Sequence, residues 1–409
     1  MPTLFQINVT CNHGSTGRIA EEIGQLAILH GWDSYIAYGR GKPESSSRLV
    51  RIGNDWDMYE HGLETRIFDN HGLASRRATH KLLQQIEKIK PDVIHLHNIH
   101  GYFINYQILF DYLAKSEIPV VWTLHDCWAF TGHCAYFSLV GCYQWKNEEC
   151  SHCNHNKSYP ASLLLNRAHR NFLDKKKAFA NLKNVTIVTV SHWLEKLVKQ
   201  SFLSCNQVIT INNGIDIHVF TPKKNGSEIR KKLGVSQPYM LLGVANVWET
   251  RKGISDFVKL RERLPNEKYA IIMVGVDDTI TKTLPKDIVT VKRTNNAEEL
   301  AEIYSAADIV LNLSYQESFG MTTVEGFGCG TPSIVYNVTA SPELLSSSTG
   351  LVVCKGNLSA VVSGIEKICQ KGKDTYVEAC RRRAVENYNK DKLYMDYIKL
   401  YQKLIDLDL

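Results

Sequence analysis

Two glutamates, Glu317 and Glu325, stand on either side of a segment that predicts the start of a helix. The segment follows a predicted strand at residues 309–313, and Gly320 permits the tight turn from this strand into the helix. Unpaired N–H groups at a helix start attract anions, and carboxylates accept hydrogen bonds from hydroxyl groups. Two carboxylates around an anion site suit a nucleotide sugar, whose phosphates lie between two groups rich in hydroxyls.

Histidines follow the ends of two predicted strands in the first half of the chain. His125 and Asp126 come directly after a predicted strand at residues 120–124, and ligand sites in open α/β sheets lie at that edge. His95 and His97 alternate along another predicted strand, so they share one of its faces. These two histidines could line a pocket for an acceptor substrate, pack in the core or form a metal pair.

A glycine-rich turn at residues 12–18 links the first predicted strand to the first predicted helix. Gly14 and Gly17 would allow the backbone to approach a ligand closely. Arg18, at the end of the turn, is a candidate phosphate contact. A turn without any ligand is the alternative.

Four cysteines form a separate pattern with the spacing C-x7-C-x7-C-x2-C, at Cys134, Cys142, Cys150 and Cys153. The Cys-x2-Cys half is typical of metal-binding units, and four thiolates make a closed structural zinc site. A zinc ion would order a polar loop that has little apolar core of its own. Free thiols, a redox pair or a disulfide are the alternatives.

The composition is that of a globular protein, with 409 residues of which 44% are hydrophobic and 22% are charged. These values argue against a disordered, collagen-like or coiled-coil chain. The net charge of +6 does not by itself indicate a nucleic-acid binder, and no nucleic-acid partner is expected. Residues 157–199 carry an excess of lysine and arginine, which predicts either a solvated helix face or a surface for anionic lipid or phosphate.

No apolar run approaches the roughly 18 residues of a membrane-spanning helix, and the first residues do not resemble a signal peptide. The sequence therefore predicts a cytoplasmic location. Peripheral attachment to the cytoplasmic face of the inner membrane through residues 157–199 is a further expectation.

Short apolar runs alternate with amphipathic helical patterns, and the series starts again after residue 220. This alternation predicts an α/β chain with two doubly wound, Rossmann-like domains. The predicted divisions are an N-terminal domain at residues 1–212 with a cysteine-rich insert at 127–160, a second domain at 213–385, and a C-terminal helix at 386–409.

Three segments together resemble a known family. Glu317 and Glu325 enclose Ser-Phe-Gly and precede Gly-Thr-Pro; residues 211–216 read I-N-N-G-I-D; and residues 242–253 resemble a donor-phosphate loop. The chain is thereby similar to the retaining glycosyltransferases of family 4, which have the GT-B fold, and in particular to colanic-acid and capsular polysaccharide enzymes. The resemblance covers essentially the whole chain. It implies two facing domains, with the C-terminal helix packing back on the first.

The resemblance also implies roles for individual residues. Those expected at the reacting centre are His125, Arg251, Lys252 and Glu317. Those expected to bind the donor are Gly14, Gly17, Arg18, Asn246, Gly275, Ser318, Phe319, Gly320, Met321, Thr322 and Glu325. Those expected on the acceptor side, which the first domain would supply, are His95, His97 and Asp126.

Within this set, Glu317 would hold the hydroxyls of the donor sugar and Glu325 those of the ribose. Lys252 would neutralise the departing diphosphate. Family members usually carry Gly-Arg where this chain has Ala245-Asn246, so Arg251 is expected to supply the missing cation.

The function implied is retaining transfer of a hexosyl unit from a nucleotide-diphosphate sugar to a glycan acceptor, lipid-linked, in capsule, exopolysaccharide or O-antigen biosynthesis. No cofactor is expected for catalysis. Two Asp-x-Asp triplets, at residues 55–57 and 406–408, are interpreted as chance because neither follows a convincing predicted strand. A catalytically silent scaffold of a glycan-assembly complex and a nucleotide-sugar epimerase are the alternatives.

Overall fold

The computed structural model describes residues 1–147 and 149–406, which divide into two compact units. Unit 1 contains residues 1–212 together with the C-terminal residues from 394, and unit 2 contains residues 213–393. Glu148 in the predicted cysteine insert and residues 407–409 at the end of the predicted C-terminal helix lie outside the described residues. Part of the second Asp-x-Asp triplet therefore lies outside them as well.

Unit 1 is built on a parallel sheet. Its strands are β1 (Thr3–Thr10), β2 (Asp33–Arg40), β3 (Arg48–Arg51), β4 (Val93–Leu96), β5 (Val120–Leu124), β6 (Val185–Thr189) and β7 (Gln207–Thr210). In the described residues the order across the sheet is β3-β2-β1-β4-β5-β6-β7, and each neighbouring pair is parallel. The order reverses between β1 and β4, and ligand sites in open α/β sheets lie at the carboxyl edge beside such a reversal.

The helices of unit 1 lie between these strands. They are α1 (Gly14–Leu29), α2 (Asp55–Phe68), α3 (Arg76–Ile89), α4 (Tyr106–Leu113), α5 (Gln144–Asn147), α6 (Ala168–Phe179) and α7 (His192–Val198). A capping box starts α2, because the Asn54 side chain accepts from the Asp57 N–H and the Asp57 carboxylate accepts from the Asn54 N–H. The first Asp-x-Asp triplet thus serves as a helix start.

Unit 2 is built on a second parallel sheet. Its strands are β8 (Tyr239–Val244), β9 (Tyr269–Val274), β10 (Ile288–Val291), β11 (Ile309–Asn312), β12 (Ser333–Tyr336) and β13 (Gly350–Val353). In the part of the chain that is described, the order is β10-β9-β8-β11-β12-β13, with parallel neighbours throughout. Here the order reverses between β8 and β11, so the carboxyl ends of these two strands are the expected place of a ligand site in this sheet.

The helices of the second half complete the alternation. They are α8 (Gly226–Lys232), α9 (Ile254–Arg263), α10 (Asp278–Thr281), α11 (Ala297–Ala306), α12 (Met321–Gly328), α13 (Ser341–Leu344), α14 (Leu358–Lys371), α15 (Asp374–Asn387) and α16 (Lys390–Asp406). The prediction of an α/β chain with two doubly wound, Rossmann-like domains is confirmed. None of the helices in residues 1–147 and 149–406 has the length and apolarity needed to span a bilayer.

The C-terminal part of α16 belongs to the core of unit 1. Tyr397 and Tyr401 are buried, and the Tyr401 hydroxyl lies 2.6 Å from His95 Nδ1. The Tyr397 hydroxyl lies 3.1 Å from Thr123 Oγ1, and the Tyr401 ring meets the Trp32 ring edge-on. Aromatic burial and hydrogen bonding therefore both fix this helix against β4 and β5.

Candidate functional site

In unit 2 the loops after β8 and β11 converge closely. A Cβ atom at Gly253, in the first loop, would lie 2.1 Å from the Leu313 carbonyl oxygen in the second, and the φ angle of Gly253 is +75°. The Tyr315 N–H also donates to the Arg251 carbonyl at 2.8 Å. Only glycine permits this approach, which brings Lys252 beside the acidic segment that follows β11.

Lys252 and Glu317 form an ion pair in which Nζ and Oε1 are 2.6 Å apart. Their side chains are only 19% and 11% exposed. The Ser314 hydroxyl also donates to Glu317 Oε1, and the Glu317 N–H donates to Thr339 Oγ1. Two residues predicted from the sequence to act at the reacting centre are thus in direct contact.

The charge of Glu317 is maintained although the residue is buried. Burial acts to raise the pKa of the carboxyl, but Lys252, Arg251 and the hydrogen bonds outweigh burial, so the pKa lies below its ordinary value. Ionised Glu317 can accept hydrogen bonds from hydroxyl groups, and Lys252 can bind an oxyanion.

Arg251 is held beside this pair. Its Nη1 donates to the Gln316 carbonyl at 3.2 Å, and its Nη2 lies 2.8 Å from Glu249 Oε1. The side chain is 16% exposed. Asn246, which stands where an arginine was expected, is exposed in the loop after β8. The structure therefore places the Arg251 cation, and not a residue at position 246, next to the acidic segment.

The start of α12 has the geometry expected from Gly320. Its φ angle is +110°, and the described part of the helix start has no side-chain cap. Ser318, Met321 and Thr322 are partly exposed, whereas the Phe319 side chain is buried against Tyr388. The backbone N–H groups, rather than the phenyl ring, are therefore what this segment can offer to an anion.

Glu325 lies further along α12 and is 6% exposed. The hydroxyl of Tyr304, a buried residue on α11, donates to Glu325 Oε2 at 2.8 Å. Thr331 Oγ1 in turn donates to the Tyr304 carbonyl. Sequence reasoning missed Tyr304, since nothing in the helical pattern of residues 297–306 distinguishes it from an ordinary core residue.

Gly275, another predicted donor-binding residue, follows β9. A Cβ atom there would lie 1.7 Å from the Ala245 carbonyl oxygen, and the φ angle is +87°. The glycine is therefore required by the close packing of two backbone segments.

In unit 1, His125 follows β5 as predicted and is 9% exposed. Its Nε2 lies 3.2 Å from Nδ1 of His97, and the two rings are stacked. Burial lowers the pKa of His125 to about 4, although Asp126 opposes this effect, so the ring is neutral near pH 7.

The structure does not place His95 or His97 on an open pocket wall. Both are at most 1% exposed, and burial lowers the pKa of each well below the ordinary value. His95 is bonded to Thr123 and to Tyr401. Of the interpretations that the sequence left open, their burial favours packing, because β4 is buried along its whole length and α16 covers it; a place on the acceptor side stays a prediction. They are core residues behind His125.

Asp126 is fixed by two partners. Its Oδ2 lies 2.9 Å from His100 Nε2, and its Oδ1 accepts the Trp128 N–H. Burial acts to raise the pKa of Asp126, but His100 and these bonds lower it overall. The other ring nitrogen of His100 lies 3.0 Å from the hydroxyl of Tyr159, which sequence reasoning did not single out. Asp126 thus orients His100 and Tyr159.

The glycine-rich turn has two different glycines. Gly14 has a φ angle of +68°, and a Cβ atom added there would meet no described atom within 4 Å beyond its chain neighbours. At Gly17 a Cβ atom would lie 2.7 Å from Thr10 Oγ1, so this buried glycine is needed to pack α1 on β1. Arg18 is exposed, with Nε 3.3 Å from the Gly14 carbonyl.

The predicted zinc ligands are only partly gathered. The Sγ atoms of Cys134 and Cys153 lie 3.6 Å apart, close to the separation of two thiolates on one zinc ion. Cys150 Sγ accepts the Gly132 N–H, and Cys142 is partly exposed. The four thiols do not form a group with all sulfur atoms within 4.8 Å in the described residues.

The described residues show a different group with metal-ligand chemistry, Asp69, His71 and His133, whose ligand atoms all lie within 4.8 Å. The Trp128 indole N–H, which can only donate, lies 2.9 Å from His71 Nδ1. Burial lowers the pKa of His71 well below its ordinary value, so the ring is neutral. Its Nε2 lies 3.0 Å from Asn171 Nδ2, which also donates to the Asp69 carbonyl, so the group is embedded in a buried polar network.

The basic stretch at residues 157–199 is not one continuous surface. Lys175 is fully buried, and its Nζ donates to the Trp128 carbonyl and lies 4.0 Å from the Trp128 ring centroid. Burial lowers the pKa of Lys175 to about 7. Lys176 pairs with Glu149 at 2.8 Å. The expectation that Lys175 contributes to a membrane surface is wrong, because α6 packs this face on Trp128.

Two family models match the chain. The one described as Glycosyltransferase Family 4 matches residues 18–219, and the one described as Glycosyl transferases group 1 matches residues 225–390. The chain is also 22% identical to a putative colanic acid biosynthesis glycosyl transferase, WcaC, of Escherichia coli strain K12, over 98% of this chain and 100% of the relative.

Solved structures share the whole fold. A sucrose-phosphate synthase from Thermosynechococcus elongatus superposes with a TM-score of 0.76 at 16% identity, covering 100% of both chains. Alr3699/HepE of Anabaena in complex with UDP-glucose gives a TM-score of 0.66 at 13% identity, covering 98% of this chain and 99% of that one. At these identities the likeness shows the fold.

Proposed function

We propose that this chain, which is a glycosyltransferase of the GT-B type, moves a hexosyl unit from a nucleotide-diphosphate sugar to a hydroxyl of a glycan, with retention of the anomeric configuration. The observation that carries the proposal is the buried contact of Lys252 with Glu317 beside Arg251. It combines an acceptor for sugar hydroxyls with cations for a diphosphate at the carboxyl edge of a doubly wound sheet.

The proposed step follows from these charges. The bond between the anomeric carbon and the diphosphate oxygen breaks while the acceptor oxygen bonds to the same face of that carbon, and the diphosphate takes the acceptor proton. Negative charge grows on the diphosphate, and Lys252 and Arg251 stabilise it electrostatically. Glu317 and Glu325 hold the hydroxyls of the sugar and of the ribose.

The full-length similarity to a colanic acid enzyme supports a glycan acceptor of the capsule, exopolysaccharide or O-antigen kind, carried on a lipid. A silent scaffold and a nucleotide-sugar epimerase are the competing functions. A silent scaffold would have no need to keep Glu317 ionised inside the protein, and an epimerase would return no free nucleoside diphosphate.

The test is release of nucleoside diphosphate from UDP-, GDP- and ADP-sugars, measured with and without added glycan. Lys252→Met should lower kcat by roughly 10² to 10³, the usual effect of removing one charge-stabilising group. Lys292→Met is the matched control, because Lys292 also pairs with a carboxylate, Asp278, but its side chain is 70% exposed. Equal activity of both variants, or no diphosphate release by the unmodified protein, would contradict the proposal.

We also propose that a lipid-linked acceptor is met at a bilayer surface through an apolar patch of unit 1. On α2, Trp56, Tyr59 and Leu63 share one face and are 80%, 68% and 48% exposed. Leu164 is 72% exposed. The residue before it, Leu163, donates its N–H to the Arg66 carbonyl near the end of α2.

This apolar patch favours insertion into the bilayer interface over attraction to anionic lipid. Aromatic residues and leucine are the side chains that enter the interfacial region. The neighbouring face of α2 is acidic, with Asp57, Glu60 and Glu64. A protein partner would be the other occupant of such a surface.

Flotation with vesicles of neutral and of anionic lipid tests the bilayer proposal. The protein should bind both kinds, and the double variant Trp56→Ser, Leu164→Ser should lose binding. Leu29→Ser is the control, since Leu29 is 80% exposed on α1. Binding that needs anionic lipid, or that survives the double variant, would overturn the assignment of this patch.

A further inference from the structure

Behind His125 lies a chain of buried side chains with a fixed direction of hydrogen bonding. Gln6, on β1, is fully buried, and its Nε2 donates to the Ala20 carbonyl at 2.8 Å. Because a backbone carbonyl can only accept, this contact fixes the amide, and Gln6 Oε1 faces His97.

The contact with Gln6 also fixes the direction of hydrogen bonding at His97. Its Nε2 lies 3.0 Å from Gln6 Oε1, which can only accept, so His97 carries a proton on Nε2. Burial keeps His97 neutral by lowering its pKa well below the ordinary value. A neutral imidazole has one N–H, so Nδ1 of His97 holds a lone pair and accepts from His125.

We infer that Gln6 and His97 are positioning residues that fix His125 as the tautomer with its proton on Nε2 and a hydrogen-bond acceptor at Nδ1. The donor at the other end of this contact is His125 Nε2, 3.2 Å from His97 Nδ1. No partner for His125 Nδ1 is found in the described residues. A substrate hydroxyl at His125 would therefore donate its proton to Nδ1.

Neighbouring groups do not supply the same control. His95 stacks on His97 with ring centroids 4.0 Å apart, but its own partners, Thr123 and Tyr401, are hydroxyls that can either donate or accept. The charge of Asp126 favours a proton on His125, yet its carboxylate is bonded to His100 and to the Trp128 N–H. Among the described residues of this network, Gln6 alone fixes the direction of hydrogen bonding.

The role of this acceptor in catalysis rests on the proposed function, but the tautomer can be measured without activity. ¹⁵N NMR of histidine side chains in the free protein, with His125 assigned by the loss of its signals in His125→Asn, should show a protonated Nε2 and an unprotonated Nδ1. A proton on Nδ1, or a charged ring at pH 7, would overturn the inference even if the protein is a transferase.

Variants separate positioning from packing. Gln6→Met removes the fixed acceptor, so the His125 signals should move toward a mixture of tautomers and kcat should fall roughly tenfold, with a smaller change in KM. Thr123→Val is the matched control: it removes a buried hydroxyl that bonds to His95 and Tyr397 but leaves Gln6 and His97 in place. An unchanged tautomer in Gln6→Met would refute the role of Gln6. If that variant does not fold, the spectrum of the unmodified protein decides alone.

Discussion

At the scale of single residues, charged groups of unit 2 are held in place before any ligand arrives. Glu317 keeps its charge inside the protein because Lys252 is in contact with it, and Lys252 in turn is held by the Glu317 carboxylate. Preorganised charges of this kind need little rearrangement during a reaction, which is what makes them effective.

The same principle gives a prediction for Tyr304, whose hydroxyl holds Glu325 at 2.8 Å. Tyr304→Phe should raise KM for the nucleotide sugar by about ten- to a hundredfold, because a hydrogen bond to a charged group contributes roughly 1.5–3 kcal/mol. Steady-state kinetics with the preferred donor measure this effect.

Tyr106→Phe is the control for loss of a buried hydroxyl. The Tyr106 hydroxyl is buried and has no hydrogen-bond partner among the described residues, so its removal should leave KM unchanged and should not lower stability. An equal change of KM in both variants would mean that Tyr304 acts through packing alone.

Glu317, Lys252 and His125 could be singled out as candidates from the sequence because they lie in local motifs that follow predicted strands. Tyr304 and Gln6 could not, since each acts through a partner 21 or 91 residues away. Nor could the sequence show that Gly17 serves packing and Gly14 does not, because both satisfy the same pattern.

At the scale of elements, central strands of both sheets were predictable, and so was the edge strand β10, whereas both edge strands of unit 1 were missed. The strand predicted at residues 120–124 coincides with β5, and the one predicted at residues 309–313 contains β11. β3 and β7 were missed because edge strands with partly exposed residues lack a continuous apolar run.

The cysteine insert gives a prediction at this scale. We expect the purified protein to hold about one zinc ion per chain, bound by Cys134 and Cys153, with Cys142 and Cys150 moving closer to complete the site. We expect Cys153→Ser to lose the zinc ion. Metal analysis and the Tm after chelation measure the effect, with Cys205→Ser as the control because Cys205 is exposed. No zinc in the unmodified protein and no change of Tm on chelation would contradict this prediction.

At the scale of the whole molecule, the two units should respond differently to acid. His61, His71, His95, His97 and His125 are buried in unit 1, and burial lowers the pKa of each, to about 3 for His61 and about 4 for His125. The unfolded chain takes up these protons below about pH 6.5, while the folded chain does not. The stability that these residues confer above that pH is therefore lost as the pH falls.

The expected result is a free energy of unfolding, from urea titrations, that declines between pH 6.5 and pH 4.5. Each such histidine contributes up to about 1.4 kcal/mol per pH unit, so His61→Gln should make the decline less steep by that amount. Glu317 lowers the free energy of unfolding only at more acidic pH, since its pKa lies below the ordinary value for glutamate. A free energy that is flat over this range would contradict the burial of neutral histidines.

Binding of a nucleoside diphosphate tests the central claim most directly. The Tm of the protein should be measured with the UDP, GDP and ADP series and their sugars, each with and without EDTA. We expect one series to raise the Tm, because a ligand that binds only the folded state stabilises it by mass action. The rise should be the same with EDTA and absent in Lys252→Met. No rise with any nucleotide, or a rise that EDTA abolishes, would contradict a transferase that uses Lys252 and Arg251 in place of a metal.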